Sequence, residues 1–475
     1  MAGITGIGSG IDIDTIVKGM VTAERAPKET QLANLEKRTT TQITAIGALK
    51  SAISDFQTAL GALNKPELFQ ARSASSSKSD LVSVSAGTAA GSGSYQVEVK
   101  SLATSSKVAL AAISNTAEAP AQFASGTLKF NVGDDSFSVT IGESNNSLTG
   151  MRDAINAAGK EAGVSATIVT DEHGSRLVLS SSKTGAGRDI TVAVANESAA
   201  QTGQTSLSVL AFDGTASDAE EGARVVTKAS SAEFYVDGLK VISQTNKVEG
   251  AIEGVTLDLK AVTVENEPLT ISVAEDKAGV KKQIQSFVDS YNKLIGVINA
   301  QTKVTSVGDG NAPVTGALVG DATTRTLLGT IRNELVNVQG DGALRALVDL
   351  GITTQKDGTL KIEDAKLDKA LEDNFAELPA LFTGDNGLAT RLDGKLKPYT
   401  ETGGILEQRN KAMTETISKI DDQREDLNRR ITTMQERLYK QFNAMDLLVG
   451  QLSNTSNSLL ASLENLPWAA SNSKK

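Results

Sequence analysis

The chain has few of the residues on which most catalytic and cross-linked sites depend. Its 475 residues include no cysteine and a single histidine, His173. The lack of cysteine excludes disulfides, thiol catalysis and thiolate metal sites, and one histidine cannot build a His-rich zinc site or a Ser-His-Asp triad. His173 lies in the segment 171–174, whose composition predicts a solvated turn. We therefore expect no enzyme, no cofactor and no metal site.

Nucleotide-binding motifs are also missing. Gly6, Gly8 and Gly10 superficially resemble a dinucleotide loop. No predicted strand precedes these glycines and the third spacing is wrong, so they indicate a flexible leader instead. The nearest approach to a P-loop, residues 387–395, has Leu396 where a serine or threonine would bind magnesium. Adjacent pairs of acidic residues lack the alternating ligands of a calcium loop and fit solvated turns and helix faces.

Charge and hydropathy argue against nucleic-acid and membrane partners. The formal net charge of -10 contrasts with the clustered Lys and Arg that phosphate contacts need. No apolar run approaches the ~20 residues of a bilayer span. The first residues lack a basic region followed by an apolar stretch, so we expect no cleavable signal peptide. The missing cysteines are compatible with export as an unfolded chain and equally with chance.

Both ends of the chain carry apolar residues that recur alternately every 4 and 3 positions. This spacing is typical of a helix that packs along a partner helix in a coiled coil. The amino-terminal seam comprises Leu32, Leu35, Ile46, Leu49, Ile53 and Phe56, with polar Thr39 and Gln42 between them. The carboxy-terminal seam comprises Ile417, Ile420, Arg424, Leu427, Ile431, Met434, Leu438, Gln441, Met445, Leu448 and Leu452. Arg424 either sets the register of the seam or extends its charged group to water, and both interpretations stay open.

Local signals divide each arm further. Asp14 or Thr15 is a plausible N-cap for a short amphipathic segment, and Pro27 predicts a break before the heptad helix. Residues 72–80 are predicted to form a solvated linker. Trp468, the single tryptophan, follows the last helix as either a packing anchor or a partner contact.

The middle of the chain is β in character. Alternating apolar and polar residues predict strands and hairpins at 95–100, 128–141, 164–180, 234–242 and 256–262. Asp237-Gly238 supplies the positive φ angles of a type I′ hairpin turn. The spacing of Leu148, Met151 and Ile155 predicts a helix over 148–158.

Helical spacing returns after residue 275. It predicts a long helix to about Thr302, weaker helices at 321–338 and 363–377, a hairpin over 352–362 and a Gly-rich loop from 384 to 404. The predicted fold class is α+β multidomain, with long helical coiled-coil arms from both termini and inserted β-rich domains. The predicted parts are a flexible or helical amino-terminal arm (1–40), a helix of arm and core with its linker (41–80), a β-rich inner domain (81–116 with 213–273), an inserted β-rich outer domain (117–212), a helical core with a β-hairpin (274–430) and a carboxy-terminal coiled-coil arm (431–475).

Particular segments resemble a known family. Residues 6–27, Gly-Ile-Gly-Ser-Gly-Ile-Asp-Ile-Asp and onward to Pro27, resemble the amino-terminal signature of the flagellar filament cap family, also called hook-associated protein 2. Similar matches lie at 249–259, 287–295, 357–362 and 436–445. Residues 148–192 resemble the inserted repeat of flagellins and hook-associated proteins. The resemblance covers nearly the whole chain, and about 117–212 is its variable part.

The resemblance implies a non-enzymatic cap and assembly chaperone. Several copies would form a ring-shaped homo-oligomer, with a pentamer the favoured number, at the distal tip of the flagellum outside the cell. The ring would retain exported flagellin and promote its folding and polymerisation, which filament elongation and motility require. Legs would dock into the filament end, and a cytoplasmic export chaperone would bind the chain before secretion without a cleavable signal peptide. Polar residues on both seams suggest legs that order and release.

Two alternatives remain. Another axial flagellar subunit, such as flagellin or a junction protein, has the same layout of helical ends around β insertions. A tip adhesin that binds host glycans is possible as a second role, because the plate of the cap would be the outermost point of the organelle. No residue in 80–270 identifies such a ligand.

Overall fold

The computed structural model describes residues 10–116, 119–308, 312–338 and 342–464, so Gly6, Gly8 and Trp468 lie outside the described residues. Its helices are α1 (Ile13–Leu63), α2 (Pro66–Gln70), α3 (Leu148–Ala158), α4 (Lys277–Thr302), α5 (Ala322–Val336), α6 (Asp364–Asp373), α7 (Leu378–Phe382), α8 (Leu388–Thr400) and α9 (Ile405–Glu464), with 3₁₀ turns at Leu207–Leu210, Leu347–Leu350 and Phe375–Glu377. All described helices fall short of the apolar length that a membrane crossing requires.

The strands lie mostly between α2 and α4. They are β1 (Arg72–Ser76), β2 (Val82–Ala86), β3 (Gly93–Ser101), β4 (Ser105–Ala109), β5 (Gln122–Phe123), β6 (Gly126–Val132), β7 (Asp135–Ile141), β8 (Val164–Asp171), β9 (Gly174–Thr184), β10 (Ile190–Ala195), β11 (Gln204–Thr205), β12 (Arg224–Thr227), β13 (Ala232–Val236), β14 (Leu239–Ser243), β15 (Lys247–Ile252), β16 (Val255–Leu259), β17 (Leu269–Glu275), β18 (Val304–Thr305), β19 (Val314–Thr315), β20 (Ile352–Thr354) and β21 (Leu360–Ile362).

The chain forms two compact units. One joins both ends of the sequence, Met1–Pro66 with Ala278–Lys475, and the other is the intervening Glu67–Lys277. The first unit is largely helical and the second is largely β. The predicted α+β fold class, with long helices from both termini around a β-rich insertion, is confirmed.

The β unit contains an inner core between two antiparallel sheets. One sheet has the strand order β1-β17-β3-β13-β14 and the other has the order β15-β16-β2. Val97, Phe234, Leu257 and Ile271 are among the side chains buried between them. The predicted hairpin is confirmed, because Asp237 and Gly238 join β13 to β14 with φ angles of 48° and 79°.

A second, outer core follows in the same unit. The sheets β12-β4-β9-β8 and β10-β6-β7 bury Phe130 and Leu177 together with Met151 of α3. The predicted hairpins β6–β7 and β8–β9 and the helix 148–158 are confirmed. Strands β4 and β12 lie outside residues 117–212 and nevertheless complete this sheet, β4 beside β9 and β12 beside β4.

A narrow neck connects the inner and outer cores. Thr104 and Ser230 form an antiparallel bridge, in which each backbone N–H donates to the carbonyl of the other at 2.9 and 3.2 Å. The Thr104 hydroxyl also lies 2.7 Å from the Ser230 hydroxyl. The chain therefore passes between the two cores at these residues.

The helical unit has an aromatic centre. The Phe56 ring of α1 lies 5.6 Å from the Phe287 ring and 5.8 Å from the Tyr291 ring, both on α4. Phe382 of α7 lies 6.5 Å from Phe287. The Tyr291 hydroxyl donates to the Gly358 carbonyl at 2.9 Å, and burial raises the pKa of this phenol. The carboxy-terminal half of α1 is thus a core element of this unit.

The predicted break at Pro27 is wrong, because α1 continues through it from Ile13 to Leu63. Proline removes one backbone hydrogen bond and disfavours a helix interior. Val17 and Leu32, which lie on either side of Pro27, are both buried. The packing of these side chains therefore outweighs the cost of a proline inside the helix. The N-cap is Asp12, which accepts from the Thr15 N–H at 3.0 Å.

Two predicted loops are also regular structure. Residues 72–80 were expected to be a linker, but Arg72–Ser76 forms β1 on the edge of the five-stranded sheet, beside β17. The expected Gly-rich loop 384–404 contains α8, whose Leu388, Leu392 and Leu396 are buried at helical spacing. Serine and glycine content suggested solvated backbone in both segments, whereas a partner strand and an apolar stripe determine the outcome.

Candidate assembly interface

The two terminal helices, α1 and α9, lie along each other. Polar contacts between them occur in reverse order along the two sequences: Asp14 with Tyr439, Glu24 with Arg430, Glu36 with Arg424, and Lys50 with Glu407. The two helices therefore run antiparallel, and all four contacts fit a single alignment of α1 with α9. An antiparallel pair brings the amino-terminal end of α1 beside the carboxy-terminal part of α9.

The predicted seam residues fall into three groups in the structure. The buried residues are Leu32, Ile46, Leu49, Ile53, Phe56, Ile420, Leu427, Ile431 and Leu438. The half-buried residues are Ile417, Arg424 and Met434. The exposed residues are Leu35, Gln441, Met445, Leu448 and Leu452. A single heptad pattern thus covers a helical core, a paired arm and a free helical end.

Four of the amino-terminal seam residues belong to the core of the helical unit. Ile46, Leu49, Ile53 and Phe56 are between 0% and 1% exposed, and Phe56 packs on the aromatic centre. Side chains with no accessible surface cannot contact another molecule without unfolding. Their contribution to assembly is to hold α1 in place rather than to form a docking surface.

Arg424 forms an ion pair across the arm. Its guanidinium lies 2.5 Å from the Glu36 carboxylate of α1 and 3.8 Å from Asp421 on its own helix. The hydrogen bond from Arg424 lowers the pKa of the Glu36 carboxyl below its ordinary value. Both side chains are about one-third exposed, where an ion pair adds little stability, so the pair acts mainly to match one turn of α9 to one turn of α1.

Thr39 and Gln42 interrupt the amino-terminal seam in different ways. Thr39 is 5% exposed and its hydroxyl donates to the Leu35 carbonyl of the preceding turn at 2.8 Å. Gln42 is half-buried. Since the buried hydroxyl is satisfied within its own helix, it reduces apolar packing on the seam without leaving an unpaired polar group.

The described tip of the arm is held by a small apolar cluster. Ile13, Val17 and Leu438 are buried, and Tyr439 and Phe442 pack against them. Hydrogen bonds from Lys18 and then from Tyr439 lower the pKa of the Asp14 carboxyl at this point. Only three side chains of this cluster are buried, so it is a small one.

The strict heptad step fails beyond Leu438. Beyond Leu438, Tyr439 and Phe442 pack in the cluster with α1, whereas the predicted Gln441 and Met445 are exposed. A straight helix has 3.6 residues per turn, so a 3.5-residue pattern drifts around it unless the pair supercoils. The sequence signal for this departure is the pair of aromatic residues off the heptad positions, Tyr439 directly after Leu438 and Phe442 four residues after it.

The last turns of α9 expose many apolar side chains. The exposed fractions are 69% for Leu447, 59% for Leu448, 66% for Leu452, 58% for Leu459, 55% for Leu460 and 48% for Leu463. Leu448, Leu452, Leu459 and Leu463 recur at helical spacing on one side of α9. An exposed stripe of this kind marks a surface that becomes buried in a larger assembly.

Groups suited to metal binding are absent from the part of the chain that the structure describes. His173 occupies the predicted turn between β8 and β9, but its side chain is half-buried rather than fully solvated. Its Nε2 lies 3.5 Å from a Glu220 carboxylate oxygen and 3.6 Å from one of Glu172. These contacts tie the turn to a neighbouring loop.

Comparison with known proteins shows the same family along the chain. Family models described as Flagellar hook-associated protein 2 N-terminus and C-terminus match residues 9–106 and 229–454, and a Flagellin hook IN motif matches 127–183. The B-type flagellar hook-associated protein 2 of Pseudomonas aeruginosa is 50% identical over 475 residues, with 99% of each chain covered. The flagellar hook-associated protein 2 of Escherichia coli K12 is 32% identical over 470 residues, with 97% of each covered.

A solved structure agrees with these matches. The D1-D2-D3 domains of the flagellar cap protein from Escherichia coli superpose with a TM-score of 0.62 at 30% sequence identity, covering 78% of this chain and 99% of that one. The inserted motif begins earlier than the predicted repeat at 148–192, at residue 127. The chain belongs to the flagellar hook-associated protein 2 family, whose solved members are described as flagellar cap proteins.

Proposed function

We propose that this chain caps a flagellar filament. It acts at the distal tip outside the cell, where it retains exported flagellin and promotes the folding and polymerisation that elongate the filament and permit motility. The observation that carries this proposal is the apolar end of α9. Its side chains stay exposed in the single chain, and Leu447, Leu448 and Leu452 are each more than half accessible to solvent. Family membership supplies the context for that surface.

The terminal helices are the docking elements in this mechanism. Residues 1–40 and 431–475 serve as legs, and residues 41–80 and 274–430 hold them. Burial of a leucine side chain contributes on the order of 1.5–3 kcal/mol. A leg whose exposed leucines are all buried against the helices of the filament end would therefore bind firmly. A leg with only a few of them buried would bind weakly.

Release is as necessary as docking, because each new flagellin must enter beneath the cap. The leg tip has only a small apolar cluster of its own, around Ile13, Val17 and Leu438. The Glu36–Arg424 pair keeps the two helices in register while adding little stability. A leg of this kind can lose and regain order without unfolding the aromatic centre of the helical unit.

The exposed apolar end of α9 also fits the proposed partners, which are further copies of the chain and an export chaperone. Copies of the chain form a ring-shaped homo-oligomer, with a pentamer as the expected number, so that several legs dock at once and raise the total affinity. An export chaperone would cover the apolar end of α9 in the cytoplasm, where exposed leucines would otherwise promote aggregation.

Electron microscopy of filaments that lack a cap tests this function. The intact protein and a Ser453→Asp control are expected to decorate one end only and to permit elongation by added flagellin. Leu448→Asp with Leu452→Asp should abolish end binding, because the charges fall on the apolar stripe rather than beside it. Filaments that lengthen by incorporating the protein would identify another axial subunit, and capping by the double variant would exclude α9 as the docking surface.

Adhesion to host glycans remains a separate proposal as a second role. The neck at Thr104 and Ser230 offers a clean way to test it, because these two residues are already bonded to each other. Removal of 105–229 with a short glycine connection would delete the outer core as a whole. Unchanged glycan binding by this variant would exclude the outer core as the adhesive surface.

A further inference from the structure

An apolar groove opens at the carboxy-terminal end of α5. It encloses about 290 Å³ and is lined by Leu335, Val336, Val338, Leu347, Val348 and Ile352. Val336, Val338 and Val348 are 70%, 61% and 61% exposed. We call this surface the α5 groove. Three adjacent valines in water are unfavourable, so the groove has the character of an interface rather than of ordinary surface.

One wall of the α5 groove is the open edge of a strand. Asn292 closes the far side of the β20–β21 hairpin, since its side chain donates to the Leu360 carbonyl at 2.8 Å and accepts from the Leu360 N–H at 2.7 Å. Leu360 pairs with Thr354. In an antiparallel pair, the backbone N–H and C=O groups of two opposite residues either both point toward the partner strand or both point away from it. The backbone groups of Thr354 and Ile352 therefore point outward, along the groove. Such an edge pairs with an extended chain rather than with a helix.

The same unit carries a protruding extended element. Strands β18 and β19 pair antiparallel, and Val304, Val307 and Val314 are 54%, 48% and 63% exposed. We call Val304–Thr305 and Val314–Thr315 the valine hairpin. Its base is fixed, because Leu318 is buried and its N–H donates to the Gln301 carbonyl at 2.9 Å. The hairpin thus presents apolar side chains and strand edges on a rigid support.

The valine hairpin and the α5 groove lie at opposite ends of α5. Leu318, at the base of the hairpin, comes just before the helix, whereas Val336 is its last residue. A helix of 15 residues spans about 22 Å. The described lining of the α5 groove includes no residue of the valine hairpin, so the hairpin does not fill the groove of its own chain and a second copy can supply the fitting surface.

We propose that neighbouring copies join head to tail, with the valine hairpin of one copy seated in the α5 groove of the next. The two surfaces match in chemistry, since both expose valines and open strand edges, and each copy has one of each. Two different patches form a heterologous contact, which generates a ring when the rotation closes. This inference rests on the proposed function, whose cap is a ring of identical subunits.

The size of the contact explains why a ring would form rather than a pair. The exposed valines of both surfaces would bury on the order of 500 Å², whereas a stable pairwise complex buries about 1,200–2,000 Å². One contact alone is too small to hold a dimer. In a closed ring every copy makes two such contacts and none can leave by breaking only one, so closure supplies the missing stability.

Because the chain has no cysteine, introduced thiols test the contact directly. Full-length V314C and V348C chains would be mixed without flagellin and treated with a short bismaleimide crosslinker. V226C serves as the control for V348C, because Val226 is 55% exposed and lies outside both surfaces. The V314C/V348C double variant would be treated in parallel. Circular dichroism of each variant checks that the helices are retained.

The expected result is an efficient V314C–V348C product, at least tenfold above V314C with V226C, and a ladder in the double variant that stops at a fixed closed species. The proposal is overturned if V348C links mainly to V348C, if the double variant links within one chain, or if the mixed yield equals the control. Filament-end binding by the unlinked protein is measured separately, so failure of this contact and failure of the cap function give different results.

Discussion

The predicted seam contains buried core residues and exposed residues, and substitutions at these two kinds of residue should have different effects on the free energy of unfolding. Phe56→Ala removes a completely buried ring whose neighbours Phe287 and Tyr291 lie 5.6 and 5.8 Å away. A buried Phe→Ala change costs about 3–5 kcal/mol, partly through the cavity it leaves. Leu448→Ala removes a side chain that is 59% exposed, so its cost in the isolated chain should be within about 0.5 kcal/mol.

Urea unfolding followed by far-UV circular dichroism measures this difference, because most of the helix lies in the unit that contains both residues. With a urea dependence of roughly 1–3 kcal/mol per M, Phe56→Ala should lower the midpoint by about 2 M, and Leu448→Ala should leave it unchanged. Leu448→Ala should instead weaken binding to filament ends. A midpoint shift for Leu448→Ala as large as that for Phe56→Ala would refute the reasoning, since it would mean that the end of α9 is packed within one chain.

Three further predictions concern other parts of the chain. Arg176→Met should destabilise the outer core by about 1–3 kcal/mol in thermal unfolding, because the guanidinium of this buried residue donates to Asp171 and to the carbonyls of loop 220–222, which would lose their donor. Arg424 lowers the pKa of the Glu36 carboxyl, so their pairing should stabilise the arm at pH values above the ordinary pKa of 4.5, and this stability should be lost as pH falls through the lowered pKa. Glu36→Gln should remove this pH dependence when unfolding is measured over a range of pH. Amide exchange in the monomer should be slow across 45–63 and fast across 443–464, and equal protection of both would exclude a leg that orders on docking.

Local patterns predicted the elements whose formation depends mainly on neighbours in sequence. The helix at 148–158 and the turn at Asp237-Gly238 appear where spacing and turn chemistry place them. The failures occur where distant chain decides: Pro27 lies within α1 because packing holds the helix on both sides, and β1 forms because β17 is available as its partner. The outer edge of β21 is closed because Asn292, far away in sequence, bonds to the Leu360 backbone, and this leaves the edge of β20 as the open one.

The candidate site shows the same limit. Heptad spacing identified which residues of α1 and α9 are apolar on one side, but it could not distinguish Phe56, in an aromatic core, from Leu448, in water. Periodicity records that a side chain belongs on a stripe and carries no information about which neighbour covers the stripe. It also missed Phe442, because the departure from a 3.5-residue step depends on how the two helices pass each other.

Sequence by itself determined the layout and the family of this protein, because the terminal heptads predicted helical arms and residues 6–27 resemble the signature of the family. Tertiary structure alone decided the antiparallel register of α1 with α9, the bridge between Thr104 and Ser230, and the lining of the α5 groove. The physical reason is that composition and periodicity depend on nearest neighbours along the chain, whereas register, exposure and complementarity depend on residues hundreds of positions apart that meet only in the folded state.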